Sequence, residues 1–226
     1  MMDRNRNKDV AVTVGIDLNR ESPQICFYDR RTDDMQTAPL RSGMADGDFA
    51  GLFDEMAMRE DEGTLTEDLM ARLQEKGARL LKTAFVSLGI DDPAEQINGM
   101  TITIERLTRT MVTFLQGMCS ALGMQRSRIF LQDYRESFFY HTLFQKPELR
   151  QRNVGFFRFC GRKVTFYSMG IDNLVRPATA RIEEGITVRL SESRSSWDEQ
   201  FYNMVNASLR QNLYSSVFIT GETFDR

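Results

Sequence analysis

VGFFRFCGRKVTFYS, residues 154–168, decides how the rest of the chain is read. Val154–Phe159 and Lys163–Ser168 are runs of aromatic and β-branched residues. Cys160-Gly161-Arg162 between them makes a tight turn, so the stretch spells a β-hairpin. The same pattern opens the chain. Val10–Ile16 is a nearly continuous apolar run, the mark of a strand buried on both faces. A polar turn, Asp17–Ser22 closed by Pro23, follows it, and Gln24–Tyr28 returns as the second strand.

Outward from these two hairpins the elements fall into a repeated order. After the first hairpin, Met35–Leu40 supplies a third strand. Residues 41–63, rich in glycine and acids, form a loop or insertion with a helical turn over Phe49–Met58. Thr64 and Glu67 have the spacing of a capping box, heading an amphipathic helix on Leu69, Leu73, Leu80, Ala84 and Leu88 that stops near Gly89. Met100–Ile104 is a strand, and Leu107, Met111, Phe114, Leu115, Met118 and Leu122 keep helical spacing up to Gly123. Arg128–Gln132 is a strand. Tyr134–Gln145 is a helix ended by Lys146-Pro147, because proline drives its predecessor out of the α region.

Beyond Pro147 the order restarts. The second hairpin is followed by a strand around Ile182 or around Ile186-Thr187-Val188. Next come a capping box at Ser196 and Glu199, a helix on Trp197, Phe201, Met204, Val205, Leu209 and Leu213, and a strand at Val217–Thr220. Residues 10–146 thus read β-β-β-α-β-α-β-α, and residues 153–220 read β-β-β-α-β. The expected fold class is α/β with two like halves, 1–147 and 148–226. The second stops after its fourth strand and leaves an edge open to a partner.

Composition narrows the class further. A chain of 226 residues, 41% hydrophobic and 27% charged, suits one large or two compact domains. No apolar run approaches the ~18 residues that cross a bilayer, and no apolar segment follows the charged start, so neither membrane insertion nor a secretory signal is expected. Cys26, Cys119 and Cys160 are widely spaced and His141 stands alone, which makes neither a disulfide framework nor a metal clip. A cytoplasmic location is the expectation. The net charge of −3 hides two tracts. Met44–Glu75 holds ten acids against two arginines, and Arg126–Lys163 holds nine bases against three acids. They are solvated faces, or surfaces that attract each other within or between chains. No aromatic-basic RNA motif is present, and nucleic acid is not an expected partner.

The duplicated order, with a polar turn after the first strand, resembles the actin–Hsp70–sugar kinase superfamily of ribonuclease-H-like ATPase folds. GIDLNRES at Gly15–Ser22 looks like its first phosphate loop, VGFFRFCGRKVTFYS like its second, and VFITGETFD at Val217–Asp225 like its adenosine segment. RIFLQDYRESFFYH at Arg128–His141 sits where the superfamily has its connecting strand and helix. The stretch also resembles an uncharacterised bacterial family of this fold.

The resemblance implies ATP and Mg²⁺, held by two facing hairpin loops with a carboxylate at the end of each first strand. Asp17 matches the first carboxylate, while Asn19 and Arg20 replace small residues of that loop. Arg158 stands where the second aspartate is expected, with Gly161 after it. Gly221 matches one adenosine-segment glycine, and Glu136 or Gln132 falls nearest the catalytic acid or Gln. Asp17 is a metal-organising carboxylate or a turn residue. Arg158 is a partner of Asp17 or a surface arginine. Cys160, His141, the run Phe138–Tyr140 and the methionines read as ordinary turn, helix and core residues. The expected function is a degenerate, non-catalytic interaction or scaffold module that binds a protein partner or itself. The alternative is an ATP-binding protein or ATPase whose pocket needs further C-terminal elements.

Overall fold

A computed structural model describes residues 12–18, 23–40, 48–172, 179–210 and 212–221. The chain divides into two compact units, Met1–Tyr134 and Arg135–Arg226. No helix among the described residues is long and apolar enough to cross a membrane.

The first unit is a five-stranded sheet of β1 (Val12–Asp17), β2 (Gln24–Asp29), β3 (Asp34–Pro39), β4 (Ile97–Ile104) and β5 (Ile129–Asp133), in the order β3-β2-β1-β4-β5. β1–β2 and β2–β3 are antiparallel hairpins, and β4 and β5 run parallel to β1. One face of the sheet carries Val14, Ile16, Met100 and Ile102, all at most 2% exposed. They pack in one core with α2 (Glu67–Ser87) and α4 (Arg109–Ala121), each side chain contributing roughly 1.5–3 kcal/mol by burial.

Glycine sets how closely those helices approach. A Cβ on Gly77 of α2 would lie 2.9 Å from the Met118 sulfur and 3.1 Å from Phe114, both on α4. Each helix also ends in the same way. Gly89 and Gly123 both take φ +76°. Ile90 N–H donates to Phe85 O at 2.9 Å and Met124 N–H to Cys119 O at 3.1 Å, the bonding pattern of a Schellman cap.

Two helices differ from the sequence expectation. α2 begins two residues later than the Thr64–Glu67 box predicts, because the Thr66 hydroxyl accepts from Leu69 N–H and Glu67 opens the helix. The expected helical turn at Phe49–Met58 is a full helix, α1 (Phe49–Asp61), capped by the Asp48 carboxylate. A short α3 (Pro93–Gln96) precedes β4.

The second unit is a four-stranded sheet of β6 (Asn153–Cys160), β7 (Lys163–Asp172), β8 (Thr179–Arg189) and β9 (Tyr214–Thr220), in the order β8-β7-β6-β9. The sequence places the third strand around Ile182 or around Ile186–Val188. It is one strand spanning both, with a register shift opposite Thr165 and Tyr167. α6 (Arg194–Leu209) covers one face, where Phe157, Phe159 and Phe166 meet Trp197 and Phe201. It starts ahead of the expected box at Ser196, with Ser193 as its N-cap residue. α5 (Tyr134–Leu143) covers the other face: Phe138 stacks on Phe156 at 4.4 Å, and His141 lies edge-on to Phe218 at 5.0 Å. Those contacts draw α5 into the second unit, although by order it closes the first half. Tyr140 points away at 52% exposed, so only part of the aromatic run is core.

The two units repeat residue by residue. β1 meets β4 with Val12 opposite Ile97 and, after a one-residue bulge, Thr13 opposite Gly99. β6 meets β9 with Asn153 opposite Tyr214 and, after the same bulge, Val154 opposite Ser216. Counting on from the bulge equates Asp17 with Arg158 and Thr103 with Thr220. The hairpins agree, since Asp17 pairs with Gln24 and Arg158 with Thr165, seven positions on in each case. This duplicated α/β unit, three antiparallel strands followed by parallel ones, has the ribonuclease-H-like strand order the resemblance implied.

Candidate functional site

In the first unit β1, β4 and β5 run parallel, and their C-terminal ends stop side by side. Such ends are where open α/β sheets present ligands. Asp17 of β1 lies beside Thr103 of β4, which lies beside Gln132 of β5. Strand alternation turns all three from the helix-covered face, because Ile16, Ile102 and Leu131 take the core side. Leu18 N–H donates to Thr103 O at 3.0 Å, so the backbone leaving β1 stays tied to β4.

Side-chain hydrogen bonds then lock the row. The Tyr134 hydroxyl donates to Asp17 Oδ1 at 2.7 Å, and Gln132 Nε2 donates to Thr103 Oγ1 at 3.0 Å. Tyr134 is only 8% exposed, so its phenol is held by packing as well as by the bond. Gln132 is oriented through its amide nitrogen.

Of the residues singled out in sequence, Asp17 and Gln132 come together here. Glu136, the other choice for the connecting segment, is exposed on the first turn of α5 in the second unit. Thr103 and Tyr134 were not foreseen. The clue to Thr103 was the alternation in MTITI, which leaves its threonines on the non-core face, and Tyr134 directly follows the strand end. Asn19 and Arg20 lie outside the described residues.

The matching positions of the second unit have different chemistry. Arg158, 8% exposed, takes the place of Asp17 and pairs in register with Thr220. The β6–β7 ladder runs on to Cys160 opposite Lys163, so Gly161 and Arg162 form a two-residue turn. Gly161 has φ +55°, which suits the first central position of such a hairpin. Gly221 has φ +104°, and a Cβ there would come within 2.1 Å of Phe159 O. Its glycine is therefore required by the neighbouring strand's backbone.

A Mg-nucleotide site of the implied kind needs a carboxylate at both strand ends and a loop of open N–H groups at both hairpins. The residues present do not fit that group. One of the two acids is a guanidinium, which stays protonated. The second hairpin spends its amides on a ladder that closes to its tip. Among the described residues no three His, Cys, Asp or Glu side chains converge as metal ligands.

A family model described as "Family of unknown function (DUF5716) C-terminal" matches residues 55–226. No curated protein matches the sequence. Solved structures with similar backbones include the Aquifex aeolicus Ppx/GppA phosphatase in its type II variant, 10% identical with a TM-score of 0.46, covering 94% of this chain and 68% of that one. A Bacteroides thetaiotaomicron protein with an actin-like ATPase fold and unknown function is 11% identical with a TM-score of 0.44, covering 97% and 94%. An exopolyphosphatase-like protein is 13% identical with a TM-score of 0.39, covering 95% and 67%.

Proposed function

Since the chain belongs to the DUF5716 family of unknown function, we propose from its own residues that it is a non-catalytic interaction module on an actin-like ATPase fold. One observation carries the reading: strand register equates Arg158 with Asp17, so a buried positive charge stands where a second metal-organising acid would be needed. Phosphoryl transfer depends on positioning and on neutralising phosphate charge through metal ions. A site that repels the metal from one side loses that capacity.

A second reading, an ATP-binding protein, draws support from the ordered row Asp17, Thr103, Gln132 and Tyr134, which keeps one half of such a site intact. Equilibrium binding of labelled ATP with and without Mg²⁺ separates the two. The expected result is no Mg²⁺-dependent binding at millimolar nucleotide. Mg²⁺-dependent binding that disappears in Asp17→Ala establishes the second reading in place of the first.

A further inference from the structure

The second unit has an open groove of about 930 Å³ where the N-terminal ends of β6, β8 and β9 meet the last turn of α6. Among the described residues Arg152, Arg181 and Arg210 line it together with one acid, Asp172, and Ile171 and Leu213 add apolar surface. Leu213 is 70% exposed, a large apolar side chain left in solvent on a lining that also holds three arginines. Arg181 also pairs with Glu183 at 2.6 Å, but with side chains 86% and 56% exposed such a pair is worth little and yields readily to a better anion.

The first unit carries a surface of opposite chemistry. α1 belongs to the segment between third strand and capped helix that has no counterpart in the second unit. Its inner face, Phe49, Leu52, Phe53 and Met56, is buried in its own core. Asp54, Met58 and Asp61, spaced i, i+4 and i+7, make an exposed outer stripe with Met58 47% exposed. An apolar side chain between two acids complements a lining of apolar residues and arginines. At 13 residues α1 is about 20 Å long.

We propose that the arginine-lined groove of one chain takes the outer face of α1 from a second copy, with Met58 against Leu213 and Asp54 and Asp61 toward Arg181 and Arg210. The contact is heterologous, since the two surfaces differ, and each chain carries one of each. Association therefore propagates head to tail. The proposal gives the interaction module a partner and in that sense rests on the proposed function, but it uses surfaces remote in sequence from Asp17 and Arg158.

Charge reversal tests it on the full chain. Light scattering after size-exclusion chromatography at low salt should show mass rising with concentration for the wild type. That rise should fall at least tenfold at 0.5 M salt, where exposed charges are screened within roughly 4–5 Å. Arg181→Glu with Arg210→Glu, and separately Asp54→Lys with Asp61→Lys, should each leave a monomer with unchanged circular dichroism. Mixing the two variants should restore association, because each reversed surface now faces a complementary one. Met58→Lys, a single change outside both charge sets, should weaken wild-type assembly at least tenfold. A wild type that stays monomeric at high concentration and low salt overturns the proposal, as does assembly that survives both reversals. Mg²⁺-dependent ATP binding in a chain that still assembles sinks the non-catalytic reading alone. A monomer that ignores ATP sinks this proposal alone.

Discussion

Met100 and Ile102 in the first unit correspond, strand register by strand register, to Val217 and Ile219 in the second. All four are apolar, yet the first pair is fully buried and the second is 39% and 51% exposed. The difference lies in what covers them. α4 packs beside α2 over β4, whereas among the described residues α6 has no such companion over β9. The opposite faces differ as well. Thr13, Gly15, Thr101 and Thr103 leave a small and polar surface in the first unit, while Phe156 and Phe218 make an aromatic one that α5 covers in the second. Duplication preserved the backbone down to a bulge, and the two sheets then diverged in which face they cover.

The largest expected effect follows from that burial. Ile102→Ala should cost about 2–5 kcal/mol, because it removes buried methyl groups and leaves a cavity under α4. Ile219→Ala should cost less than about 1 kcal/mol, since half its side chain already meets water. Urea unfolding of the dilute chain measures both. Equal costs would mean that β9 has a cover in solution and would break the comparison.

A smaller effect tests where the strands part company. After Thr103 the first unit continues into Ile104, 3% exposed and opposite Asp133. After Thr220 the second unit turns at Gly221, whose hydrogen sits over Phe159 O. Gly221→Ala should cost about 1–3 kcal/mol, from the positive φ and from the clash with a backbone atom that cannot swing aside. Thermal melts of Gly221→Ala and Gly221→Asn sharpen the point: asparagine tolerates positive φ but not the clash, so it should recover little.

How much of this was legible in the sequence depended on period and punctuation. VAVTVGI and VGFFRF announced their strands because buried strands are continuous apolar runs. Gly89 and Gly123 announced helix ends because only glycine takes that φ cheaply. The helix starts slipped because Thr64 and Thr66 both offer a hydroxyl to a following amide, and which one caps is settled by the tertiary position of the first buried turn. The insertion hid a real helix because its acids and glycines obscured Phe49, Leu52, Phe53 and Met56. The site was half legible. Asp17 and Gln132 stood out by residue type and position, whereas Thr103 and Tyr134 join them only through long-range pairing, with 117 residues separating Tyr134 from Asp17. The equation of Arg158 with Asp17 came from motif order and gained its firm footing from the shared bulge.

The smallest expected effect compares two hairpin turns that bend by different means. The β6–β7 turn relies on Gly161 at positive φ, whereas the β2–β3 turn places a carboxylate there, Asp33 at φ +55°. Ionisable groups hold the β2–β3 turn. Asp29 Oδ2 accepts from Arg31 Nη2 at 2.8 Å, and the Tyr28 hydroxyl donates to Asp33 Oδ1 at 2.7 Å. The hydrogen bonds from Arg31 hold the Asp29 carboxyl below the usual carboxylate range, and the bond to Asp33 raises the Tyr28 phenol. A lowered carboxyl pKa means the folded turn favours the ionised form. Its contribution is therefore complete above about pH 4 and lost as pH falls through the lowered value. A raised phenol works in the opposite sense, contributing below about pH 10 and fading as pH rises through the raised value. Protection of the Arg31 amide, which donates to Asp29 Oδ1 at 2.8 Å, should accordingly decline in acid, and Asp29→Asn should abolish that acid limb. The same variant should leave protection at the Gly161 turn unchanged. An acid limb that persists at Arg31 in Asp29→Asn would assign the titration to another group and remove the contrast between the two turns.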